Sequence, residues 1–103
     1  MKEIVEEVER WRAQGERVAI ATVIATRKSV PRPVGAKFAV SSSGAMCGSV
    51  SGGCVENDVA LQALEVIEDG APRVLSYGIT EDQALGIGLP CGGEIDVFVE
   101  RLD

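Results

Sequence analysis

At 103 residues the chain suits a single domain, 1–103, whose folding buries under about 70% of the surface of the unfolded chain, leaving a thin core that dimerisation would extend. Ten Lys and Arg stand against 16 Asp and Glu, a net charge of −6 that repels phosphate backbones and anionic bilayers and argues against nucleic-acid or membrane partners. Histidine is absent, which excludes Ser-His-Asp and Cys-His catalysis, the two-histidine zinc protease motif and most catalytic zinc sites. Any chemistry must therefore use thiols, carboxylates, cations, hydroxyls or backbone amides. The stretch from Met1 to Glu7 is too charged for a secretory signal, and no apolar run approaches the roughly 20 residues of a membrane span. The three cysteines are an odd number without tight pairing spacing, which fits reduced thiols in a cytoplasmic protein.

Ile4, Val5, Val8 and Trp11 recur at helical spacing among charges, and Gly15 supplies a stop, so residues 2–14 read as an amphipathic helix. Residues 17–26 are β-branched and nearly continuously apolar, as a central strand covered on both faces requires. The segment 27–36, with Pro31, Pro33 and Gly35, reads as a loop. Strands over 36–41 and 46–51 follow, joined by the turn residues Ser42, Ser43 and Gly44. Val55, Val59, Ala63, Val66 and Ile67 mark a helix over 54–69, stopped by Gly70 and Pro72. Residues 73–78 form a strand and 79–93 an irregular glycine-rich stretch. The strand over 94–101 places Ile95, Val97 and Val99 inside against Asp96, Phe98 and Glu100. The order α-β-β-β-α-β-β predicts an α+β domain, a mixed sheet with two main helices packed on it.

Three segments carry chemistry. In Gly48-Ser49-Val50-Ser51-Gly52-Gly53-Cys54-Val55-Glu56 a strand runs through a glycine pair into a helix. Free amides at a helix start bind anions, and the same field lowers the pKa of a thiol placed in the first turn, here Cys54. A tight strand-to-helix turn with Cys54 as a small core residue is the structural alternative. The second segment, Gly86-Ile87-Gly88-Leu89-Pro90-Cys91-Gly92-Gly93-Glu94, again sets a cysteine beside two glycines, and a long turn before the last strand is its plain reading. Two such loops in one small domain point to a shared site offering soft sulfur and many amides. The third segment, from Arg27 to Gly35, holds Arg27, Lys28 and Arg32. Arg32 could clamp a phosphate with its guanidinium fork, against a solvated surface loop as the alternative. Cys47 reads as a buried hydrophobe, and Trp11 and Tyr77 as packing residues.

These segments resemble the XdhC/CoxI family of accessory proteins for xanthine and carbon monoxide dehydrogenases. The resemblance is carried by Ser29-Val30-Pro31-Arg32-Pro33-Val34-Gly35-Ala36, by Gly48 to Glu56 as above, and by the run from Gly88 to Glu100. It implies a protein that binds molybdenum cofactor (molybdopterin) as cargo, assists its sulfuration and delivers it to an apo-molybdenum hydroxylase. The implied binding set is Arg32, Ser49, Ser51, Gly52, Gly53, Cys54, Glu56, Cys91, Gly92 and Gly93. A cysteine desulfurase is a further implied partner, and a homo-oligomer is expected. Many members continue into a Rossmann-like domain that has no counterpart in 1–103, so a separate polypeptide would supply it or the domain works without it.

A cofactor-binding chaperone rather than an enzyme is therefore the leading expectation. A sulfurtransferase or thiol-redox enzyme with Cys54 as nucleophile stays open, as does an assembly module whose cysteines are inert. A Cys₃ metal site is weaker, because no C-x-x-C spacing supports it.

Overall fold

The computed structural model describes residues 4–27, 33–51, 55–78 and 94–102. The expected order holds: α1 (Val5–Ala13), β1 (Val18–Arg27), β2 (Lys37–Ser41), β3 (Met46–Gly48), α2 (Glu56–Asp69), β4 (Arg73–Tyr77) and β5 (Glu94–Leu102). The strands form one five-stranded sheet in the order β3-β2-β1-β5-β4. Where the sequence pattern predicts a mixed sheet, every pairing is antiparallel. The reason is topological. β3-α2-β4 is a β-α-β unit, but α2 carries the chain from one sheet edge to the other, so β3 and β4 never become neighbours.

β1 is the central strand that its composition predicts, and its alternation feeds two cores. Ala19, Ala21 and Val23 point to a cluster with Val59, Ala63, Val66 and Ile67 of α2, joined by Phe38, Val40, Val97 and Val99. Val18 and Ile20 point to the other face, where Ile4, Val8 and Trp11 of α1 cover them. The helices thus lie on opposite faces of the sheet, each presenting an apolar stripe at i, i+4, i+7 spacing. α1 spans only nine residues, and Ile24 and Val74 stay about half exposed. Cys47 packs against the α1 cluster half-buried, and burial pushes its thiol pKa up. Ile95, Val97 and Val99 are buried as their alternation predicts, and Trp11 and Tyr77 are packing residues.

Two predicted boundaries move for local reasons. β3 stops at Gly48 instead of reaching residue 51, because Gly48 adopts φ +80 and turns the chain off the sheet. β1 extends to Arg27, which pairs with Glu94 across the sheet. The predicted irregular stretch 79–93 lies outside the described residues. Among the described residues no helix is long and apolar enough to cross a membrane.

Candidate functional site

Sheet register decides whether the three chemistry-bearing segments share an end of the molecule. β1 rises to Arg27 and β5 descends from Glu94 beside it, while Tyr77, the last residue of β4, pairs with Ile95. β3 also rises, ending at Gly48 opposite Phe38. The chain therefore leaves for 28–32, 49–55 and 78–93 towards one end of the sheet, the end at which α2 begins. Val50, Val55, Tyr77 and Ile95 belong to a single buried cluster, so the roots of the two cysteine-bearing segments share one core.

Glu56 organises the first of them. Its Oε2 accepts hydrogen bonds from the Ser49 hydroxyl (2.8 Å), the Val50 amide (2.9 Å) and the Ser51 amide (2.9 Å), and its Oε1 accepts from the Ser51 hydroxyl (2.5 Å). The Ser51 oxygen in turn accepts the Val55 amide at 3.0 Å. The carboxylate of the first α2 residue thus wraps the preceding turn around itself and stands at the positive end of the helix dipole. Burial pushes the Glu56 carboxyl up, but the Ser51, Ser49 and Val50 donors together pull it further down, to about 2. At neutral pH it is a carboxylate with four donors aimed at it.

This arrangement separates residues that a linear motif presents together. Ser51 is fully buried, and its amide and hydroxyl both donate to Glu56. Ser49, Ser51 and Glu56, all in the predicted binding set, hold one another. The chain on either side of 52–54 is fixed by this clasp. Gly52, Gly53 and Cys54 themselves, with Arg32, Cys91, Gly92 and Gly93, lie outside the described residues. Of the three cations of the proline-containing segment, Arg27 is engaged with Glu94 (3.6 Å) and Asp96 (3.4 Å) of β5, which fastens the start of that segment to the end of the glycine-rich one.

One contact has no counterpart in the sequence pattern. The buried Tyr77 donates its hydroxyl to Asp58 Oδ2 at 2.7 Å, nineteen positions away. Burial, reinforced by the Asp58 carboxylate, raises the phenol well above its ordinary pKa, so it remains a neutral donor. Asp58 sits in the same helical turn as Glu56, so one turn of α2 holds both the Ser49–Ser51 stretch and the end of β4. A phenol next to a polar loop gave no signal beyond its polar tip. Tyr77→Phe keeps the ring and leaves the Asp58 carboxylate short of a donor, and is expected to cost about 1–2 kcal/mol in urea unfolding. Equal stability of the two proteins would show that the bond contributes nothing.

Residues 11–78 match the XdhC and CoxI family. The chain is 39% identical over 88 residues to the molybdenum cofactor insertion chaperone PaoD of Escherichia coli, covering 85% of this chain and 27% of PaoD. It is 30% identical over 89 residues to a probable xanthine dehydrogenase subunit from Bacillus subtilis, covering 84% of this chain and 27% of that protein. Its fold superposes on the crystal structure of a xanthine dehydrogenase from Bacillus halodurans with a TM-score of 0.78 at 31% identity, over 96% of this chain and 30% of the other. The chain thus spans less than a third of each of these relatives. On sequence and fold together, it belongs to the XdhC and CoxI family.

Proposed function

We propose that the chain is the loop-bearing domain of a maturation chaperone that binds molybdenum cofactor as cargo and assists its insertion into a xanthine dehydrogenase-type apo-enzyme. The observation that carries this reading is the single α2 turn, Glu56 with Asp58, that holds Ser51 just before Gly52-Gly53-Cys54 and Tyr77 where the chain leaves β4 towards Cys91, in a chain similar to a cofactor insertion chaperone. In this reading the amides of Gly52, Gly53 and Cys54, with Arg32, take the phosphate or pterin of the cargo. Cys54 and Cys91, flanked by Gly92 and Gly93, take its molybdenum or dithiolene end, where a thiolate is a suitable soft partner and can relay sulfur. Ser49, Ser51 and Glu56 shape the turn. The wider proposal is a cytoplasmic homo-oligomer serving a xanthine or carbon monoxide dehydrogenase, with a cysteine desulfurase supplying sulfur.

Anaerobic titration with molybdenum cofactor, followed by absorbance and thermal shift, tests the reading. Saturable binding that is lost in Cys54→Ser/Cys91→Ser, with melting unchanged, is the expected result. Binding and dehydrogenase activation that survive the double substitution would remove the thiols from the function. No binding by the unaltered chain would count against this domain as the cofactor's seat.

A further inference from the structure

The end of the sheet opposite the loops carries a second concentration of charge, and it is cationic. Arg12 from the last turn of α1, Glu16 and Arg17 from the connection to β1, and Arg101 and Leu102 from the end of β5 line a concavity of about 360 Å³. Register brings these segments together, since Val18 pairs with Leu102 and Ala19 with Arg101. Elsewhere the described arginines meet carboxylates: Arg10 with Glu7 at 2.6 Å, Arg27 with Asp96 at 3.4 Å, Arg73 with Glu65 at 2.7 Å. The Arg12 and Arg17 guanidiniums meet none among the described residues, although the chain holds 16 acidic residues against ten basic ones. Arg101 also lines the hollow, but its guanidinium is engaged at the end of α2, where Nη1 donates to the Ile67 carbonyl at 3.3 Å and its charge acts on Asp69. The one carboxylate in the lining among the described residues, Glu16, accepts the Ser43 amide at 3.1 Å and is held below its usual pKa, chiefly by hydrogen bonding to Ser43.

We infer that this concavity is a binding site for a small polyanion, a molecule presenting phosphate or carboxylate oxygens. Arg12 and Arg17, with no carboxylate partner among the described residues, leave positive charge at this hollow, and each guanidinium fork can pair two oxygens of an anion. The volume falls in the range of small-ligand sites, about 300–1,000 Å³. Glu16 opposes the ligand's charge and limits its affinity. The site lies at the end of the sheet opposite Arg27, Gly48, Tyr77 and Glu94, so it stands or falls independently of the cofactor-handling reading.

The test is calorimetric titration of the full chain at low ionic strength with pyrophosphate and, separately, with citrate. Saturable binding of at least one probe is expected. Pyrophosphate alone would identify a phosphate site, citrate alone a carboxylate site, and both a general oxyanion site. Arg12→Gln/Arg17→Gln should weaken binding by about tenfold or more, since hydrogen bonds to charged groups are lost. Glu16→Gln, which keeps an acceptor for the Ser43 amide, should tighten it. Arg10→Gln removes an equal charge from the same helix and should leave affinity within about twofold. No saturation with either probe, or an equal loss in Arg10→Gln, would overturn the site.

Discussion

Glu56→Ala is expected to lower the unfolding free energy by about 3 kcal/mol, because it strands four donors that share one half-buried carboxylate. Glu56→Gln keeps one acceptor oxygen but turns an NH₂ group towards amides and hydroxyls that need an acceptor, and should cost about 2 kcal/mol. The pH dependence separates this electrostatic role from simple packing. A carboxyl with an ordinary pKa of 4.5 is held at about 2 in the folded chain. Its contribution is therefore complete above pH 4.5 and is lost as the pH falls through 2. The contribution at stake is about 2 kcal/mol once solvent screening of a half-exposed group is allowed for. Urea unfolding of the wild type and Glu56→Gln should show a gap at pH 7 that narrows steadily below pH 4.5. A gap of constant size across that range would mean that the carboxylate charge plays no part. Because Ser51 and Val55 bracket the Gly52-Gly53-Cys54 segment, the cofactor binding proposed for it should fail in Glu56→Ala along with the clasp.

What could be read in advance follows from the range of the interactions involved. Periodicity located all seven elements, because the stripes Val59, Ala63, Val66 and Ile95, Val97, Val99 are local patterns facing a common core. The cysteine–glycine motifs were visible as motifs, and the fold adds that their roots share an end of the sheet. The roles of individual polar residues were not readable. Nothing in the string Gly48 to Glu56 says that its last residue folds back onto Ser49, Val50 and Ser51, since a glutamate opening a helix is equally at home in solvent. Nothing in the string around Arg27 says that register places Glu94 and Asp96 beside it, 67 and 69 positions away. Asp58 and Tyr77 meet only because α2 and β4 pack on one core. Sheet direction was likewise hidden, because a β-α-β segment pairs in parallel only if its strands become neighbours.

Gly48→Ala is expected to be the most damaging glycine-to-alanine substitution among the described residues, at about 4 kcal/mol and on the order of 20 °C in melting temperature. Two costs combine at this position. Its φ of +80 lies in the left-handed region, where a side chain alone costs about 1–2 kcal/mol. A Cβ would also overlap the Lys37 carbonyl oxygen and meet Ile4 Cγ2 at 2.7 Å. Neither neighbour can give way cheaply. The Lys37 carbonyl accepts the Ser49 amide at 2.9 Å, and Ile4 is fully buried under α1. Gly44→Ala isolates the first cost: Gly44 has φ +94 with nothing within 4 Å of its would-be Cβ, and should lose only about 1 kcal/mol. A difference between the two variants well above about 1 kcal/mol in denaturant unfolding would identify close approach of backbones as the reason for glycine at this strand end. Equal losses would mean that β3 shifts away from β2 to admit the methyl group. In that case Glu56 would be closing a turn already free to move, and the clasp would have to define the loop without a fixed strand behind it.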